Sequence, residues 1–133
     1  MSDLFLVAVG GAFGAVARWQ VDAWVAFRWT AARGVSRIPL ATLLVNVSGS
    51  FAVGLLVGWL GVVGSQAWLL PLAVTGFLGA YTTFSTWMFE AVRLLQRGAT
   101  GRALRYLALT VGLGVGAAAI GLLIGAWSVA AIL

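Results

Sequence analysis

Long apolar stretches separated by short polar connections dominate the chain. Residues 4–27, 40–63, 68–95 and 103–129 are rich in Leu, Val, Ala, Gly and aromatic side chains. Each stretch is long enough for a helix that crosses a bilayer, which needs about 20 apolar residues. The pattern therefore predicts an all-α integral membrane protein, with four transmembrane helices forming a single domain over residues 1–133.

The third stretch is interrupted at its centre by residues that weaken a lipid-embedded helix. Residues 79–85 read Gly-Ala-Tyr-Thr-Thr-Phe-Ser, and both glycine and hydroxyl side chains that compete for backbone hydrogen bonds disfavour helix. Irregular backbone at membrane depth occurs where it is buried in protein or lines a polar pathway. We therefore predict a broken third helix with functional residues at the break.

Composition agrees with a membrane protein and argues against catalysis. Of the 133 residues, 62% are hydrophobic and 8% are charged, whereas soluble domains carry about 25% charged residues. The chain contains no cysteine or histidine, which removes thiol catalysis and imidazole metal sites. The carboxylates Asp3, Asp22 and Glu90 form no visible acid–base arrangement, so we expect no enzyme. We also expect no nucleic-acid binding.

Two strongly polar side chains fall inside predicted spans. Arg18 is costly there and either snorkels, pairs with a carboxylate or helix C-terminus, or lines an anion route. Asn46 shares a helix face with Thr42 and Ser50. Its amide either joins two helices by a hydrogen bond or donates to a permeating anion, and both interpretations stay open. Glu90 is interpreted as a helix-end partner of Arg93 or Arg97.

Small residues four positions apart predict close helix packing. The pairs are Gly10 and Gly14, Gly112 and Gly116, and Gly121 and Gly125. Such spacing lets two helix backbones approach each other in a membrane. Gly98 is predicted to end the third helical region.

The arginines predict the orientation of the chain. Seven of the eight basic residues flank the two loops opposite the termini: Arg28, Arg33, Arg37, Arg93, Arg97, Arg102 and Arg105. Cytoplasmic loops carry the excess of basic residues in membrane proteins. We therefore predict a multi-pass protein of the cell membrane with both termini extracytoplasmic.

Three motifs, in chain order, resemble the Fluc (CrcB-type) fluoride channels. They are G-G-x-x-G-A-x-x-R at residues 10–18, T-L-L-V-N-V-S-G-S-F-A-V-G at residues 42–54 and G-F-L-G-A-Y-T-T-F-S-T at residues 76–86. The resemblance implies an antiparallel dimer in the lipid bilayer that exports fluoride passively through two pores and confers fluoride resistance. It also implies a structural sodium ion (Na+) at the dimer interface, held by the backbone carbonyls of Gly79 and Thr82.

The resemblance further implies an anion path along the broken third helix and the helices beside it. Its expected residues are Arg18, Asn46, Phe84, Ser85, Thr86, Trp87, Tyr106 and Thr110. Hydroxyl and amide groups donate hydrogen bonds, and the edge of an aromatic ring is electropositive. Both kinds of group can therefore replace the water around fluoride.

Three features depart from the family pattern. Trp87 stands where the family has a second pore phenylalanine, and Gly114 stands where it has a third hydroxyl on the fourth helix. The strong arginine bias opposes insertion in both orientations, so we expect a heterodimer with an oppositely oriented homologue, and the antiparallel homodimer stays open as the alternative.

Two other functions remain as alternatives. A small multidrug-type dual-topology transporter needs a membrane-embedded carboxylate in its first span, where this chain offers Arg18, with Asp22 only near the end. A non-conducting partner subunit of a channel is the second, because Trp87 and Gly114 depart from the pore pattern.

Overall fold

The computed structural model describes residues 2–30, 38–64 and 67–131, and within them every regular element is helical. This confirms the predicted all-α class for the described part of the chain. Arg33 and Arg37 of one predicted loop, and Ser65 and Gln66 of another, lie outside the described residues.

The described ranges contain five α-helices and two stretches of π-helical winding. The α-helices are α1 (Asp3–Val25), α2 (Leu40–Val63), α3 (Gly79–Tyr81), α4 (Ser85–Gln96) and α5 (Thr100–Ala130), and the π-helical stretches are Ala26–Thr30 and Leu70–Leu78. Three segments are long and apolar enough to cross a membrane: Asp3–Arg28, Leu40–Val63 and Thr100–Ala130. At 1.5 Å per residue, α2 is about 36 Å long, which exceeds a hydrocarbon core of about 30 Å. The chain is thus built to pass the membrane several times.

A tight turn at Gly98 reverses the chain between α4 and α5. Gly98 has a φ of 71°, which glycine adopts without the steric penalty that other residues pay. The amide of Gly98 donates to the carbonyl of Leu95, and the amide of Ala99 donates to that of Leu94, each at 2.9 Å. This pair of bonds is the Schellman arrangement that ends many helices. The prediction that Gly98 ends the third helical region is confirmed.

Glycines bring α1 against the π-helical segment Leu70–Leu78. A Cβ atom at Gly10 would overlap the carbonyl oxygen of Leu72, and one at Gly14 would overlap that of Phe77. Only hydrogen fits between these backbones, so the predicted packing role of Gly10 and Gly14 is confirmed.

Helices α2 and α5 lie side by side and run parallel. The backbone contacts at glycines pair Gly54 with Ala118, Gly58 with Leu122, Phe51 with Gly121 and Leu55 with Gly125. Residue numbers rise together along both helices, which establishes their common direction. The predicted packing role of Gly121 and Gly125 is confirmed.

The predicted glycine pair of Gly112 and Gly116 makes no close backbone contact within the described chain. A Cβ atom added at Gly112 or Gly116 would meet nothing within 4 Å in the described structure. These two glycines lie on the exposed side of α5, so the predicted close packing is not found for them within the described chain.

Candidate functional site

The third helical region stops its regular winding between α3 and α4. Thr82 has an extended backbone, with φ −79° and ψ 163°, and α4 begins at Ser85. Helix α2 passes close to this point, since a Cβ atom at Gly49 would overlap Cγ2 of Thr82. Glycine at position 49 therefore allows the interruption to lie directly on α2.

Asn46 holds the interruption through a pair of hydrogen bonds. Its Nδ2 donates to the carbonyl of Thr83 at 3.0 Å, and the amide of Thr83 donates to its Oδ1 at 2.9 Å. In a continuous α-helix, the Thr83 amide would donate to the carbonyl of Gly79. The Asn46 side chain thus takes the place of that carbonyl and leaves it without its helical partner.

The hydroxyl of Thr83 frees a second carbonyl in the same way. The amide of Thr86 donates to Thr83 Oγ1 at 3.2 Å, whereas in a continuous helix it would donate to the carbonyl of Thr82. Thr83 Oγ1 also donates to the Thr86 hydroxyl at 3.1 Å. The carbonyls of Gly79 and Thr82 therefore both lack their helical N–H partners, because side chains have taken those amides.

An open cavity of about 460 Å³ lies between α2, the interruption and α5. It brings together several residues predicted for the anion path, namely Asn46, Phe84, Trp87 and Thr110. Ser85 and Thr86 are exposed beside it, at the start of α4. Tyr106 and Arg18 do not line it: Tyr106 is 0% exposed, and Arg18 is half-buried on α1.

Two aromatic rings form one wall of the cavity. Phe84 is 70% exposed, and its ring meets that of Trp87 edge to face, with centroids 5.6 Å apart at an interplanar angle of 71°. Among the described residues, the indole Nε1 of Trp87 is the buried side-chain nitrogen or oxygen that has no hydrogen-bond partner. A buried donor without an acceptor is costly, so the indole N–H of Trp87 is energetically unfavourable in this wall of the cavity.

Tyr106 joins α4 to α5 in a buried polar cluster. Its hydroxyl donates to Oε2 of Glu90 at 2.7 Å, and the side chain of Thr42 lies beside it. Arg93, one of the two residues expected to pair with Glu90, places its guanidinium 5.5 Å from the ring centre of Phe89. The sequence interpretation missed the Glu90–Tyr106 bond. A signal existed, because the two residues lie equally far in sequence from the turn at Gly98, and helices joined by such a turn pack side by side.

The comparisons with known proteins identify the family of this chain. A family model described as "CrcB-like protein, Camphor Resistance (CrcB)" matches residues 5–122. The chain belongs to the CrcB family. The match covers nearly all of α1, the whole of α2 and of the interrupted third region, and most of α5.

Three curated relatives of this CrcB-family chain are more than two fifths identical to it over the aligned residues, which cover nearly its whole length. "Fluoride-specific ion channel FluC 2" of Bacillus cereus is 41% identical over 125 residues, covering 94% of this chain and 98% of the relative. "Fluoride-specific ion channel FluC 1" of Geobacillus kaustophilus is 44% identical over 119 residues, covering 90% and 94%. "Fluoride-specific ion channel FluC" of Roseobacter denitrificans is 42% identical over 127 residues, covering 96% and 94%.

Proposed function

We propose that this CrcB-family chain is a subunit of a fluoride-selective channel that lowers cytoplasmic fluoride by passive export. The supporting observation is that residues 82–84 of the third motif meet Asn46 of the second at a cavity that also contains Thr110. The relatives that carry the fluoride-channel name match the chain over this whole region.

The chemistry around the cavity suits a small, strongly hydrated anion. A pore must replace the water that such an ion loses with hydrogen-bond donors. Asn46 has two amide hydrogens and uses one on Thr83, so the other is free to donate. The exposed hydroxyls of Ser85 and Thr86 and the ring edge of Phe84 extend the path. A negative cell interior drives an anion outward with about 2.3 kcal/mol per charge per 100 mV, so export needs no other energy source.

The same interruption is suited to holding a structural sodium ion. Hard cations bind oxygen ligands, including backbone carbonyls, and the carbonyls of Gly79 and Thr82 have lost their helical partners. An antiparallel second subunit would bring an equivalent pair of carbonyls to the interface. If sodium holds this interface, replacing it with N-methyl-D-glucamine should lower the unfolding temperature of the purified dimer. An unchanged unfolding temperature would argue against the ion.

We further propose that the partner subunit is an oppositely oriented homologue. In the predicted topology, all seven basic residues other than Arg18 lie on the side of the membrane opposite the termini. A chain with this bias inserts one way, so two copies cannot form an antiparallel pair.

A flux measurement tests both proposals. Liposomes loaded with potassium fluoride would contain this chain alone or together with an oppositely oriented homologue, and a potassium ionophore would start the efflux. We expect rapid fluoride release only with both chains, and no release from chloride-loaded liposomes. Rapid release from the single chain would contradict the proposed heterodimer and support the proposed channel function. No release from either preparation would contradict the channel.

One feature favours a second candidate, a partner subunit whose own pore does not conduct. Trp87 occupies the family's second phenylalanine position and carries a buried N–H without an acceptor. In that case a heterodimer would lose flux when the homologue's pore residues are changed and keep it when Asn46 and Phe84 of this chain are changed.

A further inference from the structure

The parallel packing of α2 and α5 places three polar residues of α2 opposite residues of α5 at regular intervals. Thr42 lies beside Tyr106, Asn46 and Thr110 line the same cavity, and Ser50 lies opposite Gly114. One constant sequence offset relates the two members of each pair, and successive pairs are one helical turn apart. These residues form a polar ladder between the two helices.

The ladder ends where the two backbones touch. The same offset leads next to Gly54 and Ala118, where even a Cβ atom would overlap the Ala118 carbonyl oxygen. At the preceding step the helices leave room, because a Cβ atom at Gly114 would lie 3.4 Å from Oγ of Ser50. The pair of Ser50 and Gly114 is thus the last step of the ladder that has open space.

Three of the four hydroxyl side chains that line the cavity already donate a hydrogen bond, that of Thr83 to the hydroxyl of Thr86. Thr110 donates to the carbonyl of Tyr106 at 2.8 Å, and Thr82 donates to that of Leu78 at 2.9 Å. Ser50 is different: it lines the cavity and makes no hydrogen bond within the described structure. An unpaired hydroxyl at membrane depth is costly unless a ligand or water satisfies it.

We propose that the hydroxyl of Ser50 is an anion-binding donor one turn beyond Asn46. This inference rests on the proposed fluoride conduction and adds a binding residue to that path. The step has a hydroxyl on α2 only, because its α5 position is Gly114. The spacing between Asn46 and Ser50 along the axis is about 6 Å, so an anion leaving one donor would reach the next in a single short move.

The test moves the hydroxyl from position 50 of α2 to position 114 of α5. Variants Ser50→Ala, Gly114→Ser and the double variant are reconstituted in the assembly that conducts fluoride. A hydrogen bond to a charged group is worth enough to change a rate about tenfold. We expect Ser50→Ala to slow fluoride efflux by about that factor and the double variant to recover most of it. Position 114 accepts serine sterically, since the nearest atom there is Ser50 Oγ itself.

Ser128→Ala is the matched control. Ser128 donates to the carbonyl of Gly125 within α5 at 2.9 Å, far from the ladder, so its efflux rate should stay that of the parent protein. Unchanged efflux in Ser50→Ala would overturn the inference. The inference would also be overturned by a double variant that elutes from size-exclusion chromatography like the parent assembly but releases fluoride as slowly as Ser50→Ala.

A binding measurement separates this inference from the proposed function. A ligand that binds the folded state raises the unfolding temperature. Fluoride should therefore raise it in the parent protein and in the double variant, and raise it less in Ser50→Ala, whether or not the liposomes release fluoride. An equal rise in all three proteins would contradict a role for Ser50, while the absence of efflux from the parent protein would contradict conduction.

Discussion

Asn46 controls where the third helical region stops, because its amide occupies both backbone groups of Thr83. In Asn46→Ala, these two groups lose their partners. Each buried unpaired group costs about 1–3 kcal/mol, so we expect the free energy of unfolding in detergent to fall by about 2 kcal/mol or more. Ser128→Ala, which removes one bond within a helix, should change it much less. Equal stability of the two variants would show that the bonds to Thr83 do not hold the interruption.

Trp87 lines the cavity at a position where the family resemblance predicts a phenylalanine. Phenylalanine at this position would keep an aromatic ring and remove the N–H that has no acceptor. We expect Trp87→Phe to raise fluoride efflux, because a smaller ring narrows the cavity less. Phe89→Leu is a control on the exposed side of α4 and should leave efflux unchanged. An efflux rate in Trp87→Phe equal to that of the parent would indicate that this pore does not carry the flux.

At the residue scale, the sequence predicted which side chains matter better than what they contact. It left Asn46 open between joining helices and donating to an anion, and the structure shows the first for one of its amide hydrogens. It predicted Arg93 or Arg97 as the partner of Glu90 and did not predict the bond that the carboxylate accepts from Tyr106. Spacing along one helix reports which residues share a face, and it does not report which neighbouring helix that face meets.

Among the elements, the α2–α5 contact depends on glycines that share one side of α5. A Cβ atom at Gly121 would overlap the carbonyl oxygen of Phe51, whereas one at Gly112 would meet nothing within 4 Å. We expect Gly121→Ala to destabilise the protein by about 1–3 kcal/mol through overpacking. Gly112→Ala should be neutral or stabilise it by up to about 1 kcal/mol through helix propensity. Detergent-based unfolding of both variants measures the difference, and equal stability would contradict the parallel packing described above.

The lack of close packing at Gly112 and Gly116 within the described chain has a geometric reason that the sequence contains. Gly112 and Gly121 are about two and a half helical turns apart. The two pairs therefore lie on opposite sides of α5, and a single neighbouring helix can contact one pair only. The four-residue spacing within each pair correctly indicates that its two glycines share one face of α5. The nine-residue spacing between Gly112 and Gly121 places the two pairs on different faces, and only the face with Gly121 packs against α2.

For the whole molecule, the predicted orientation places both termini outside the cell. The chain contains no cysteine, so single-cysteine variants report accessibility without background. Ser2→Cys should react with a membrane-impermeant maleimide in intact cells, and Thr100→Cys, beside the arginine-rich turn, should react only after permeabilisation. The opposite labelling pattern would reverse the predicted topology, and labelling of both variants in intact cells would indicate insertion in two orientations.

Hydropathy predicted the all-α class and a multi-pass membrane protein because both depend on composition averaged over long stretches. The details around the third region depend on single side chains: Asn46 and Thr83 each take an amide from a backbone carbonyl. Hydropathy averages cannot reveal such exchanges. The antiparallel dimer remains a prediction, since it concerns a second chain.

The contact of Gly54 with Ala118 gives the polar ladder a closed end. An ion that has moved along the ladder to Ser50 cannot continue between α2 and α5. It must therefore leave through the open side of the cavity. The open side of the cavity is the surface on which Phe84 and Val115 are exposed. In a lone subunit that side would face acyl chains. If the proposed path is correct, a single chain holds a passage with one wall of lipid, and the partner's main contribution to conduction is to replace that wall with protein.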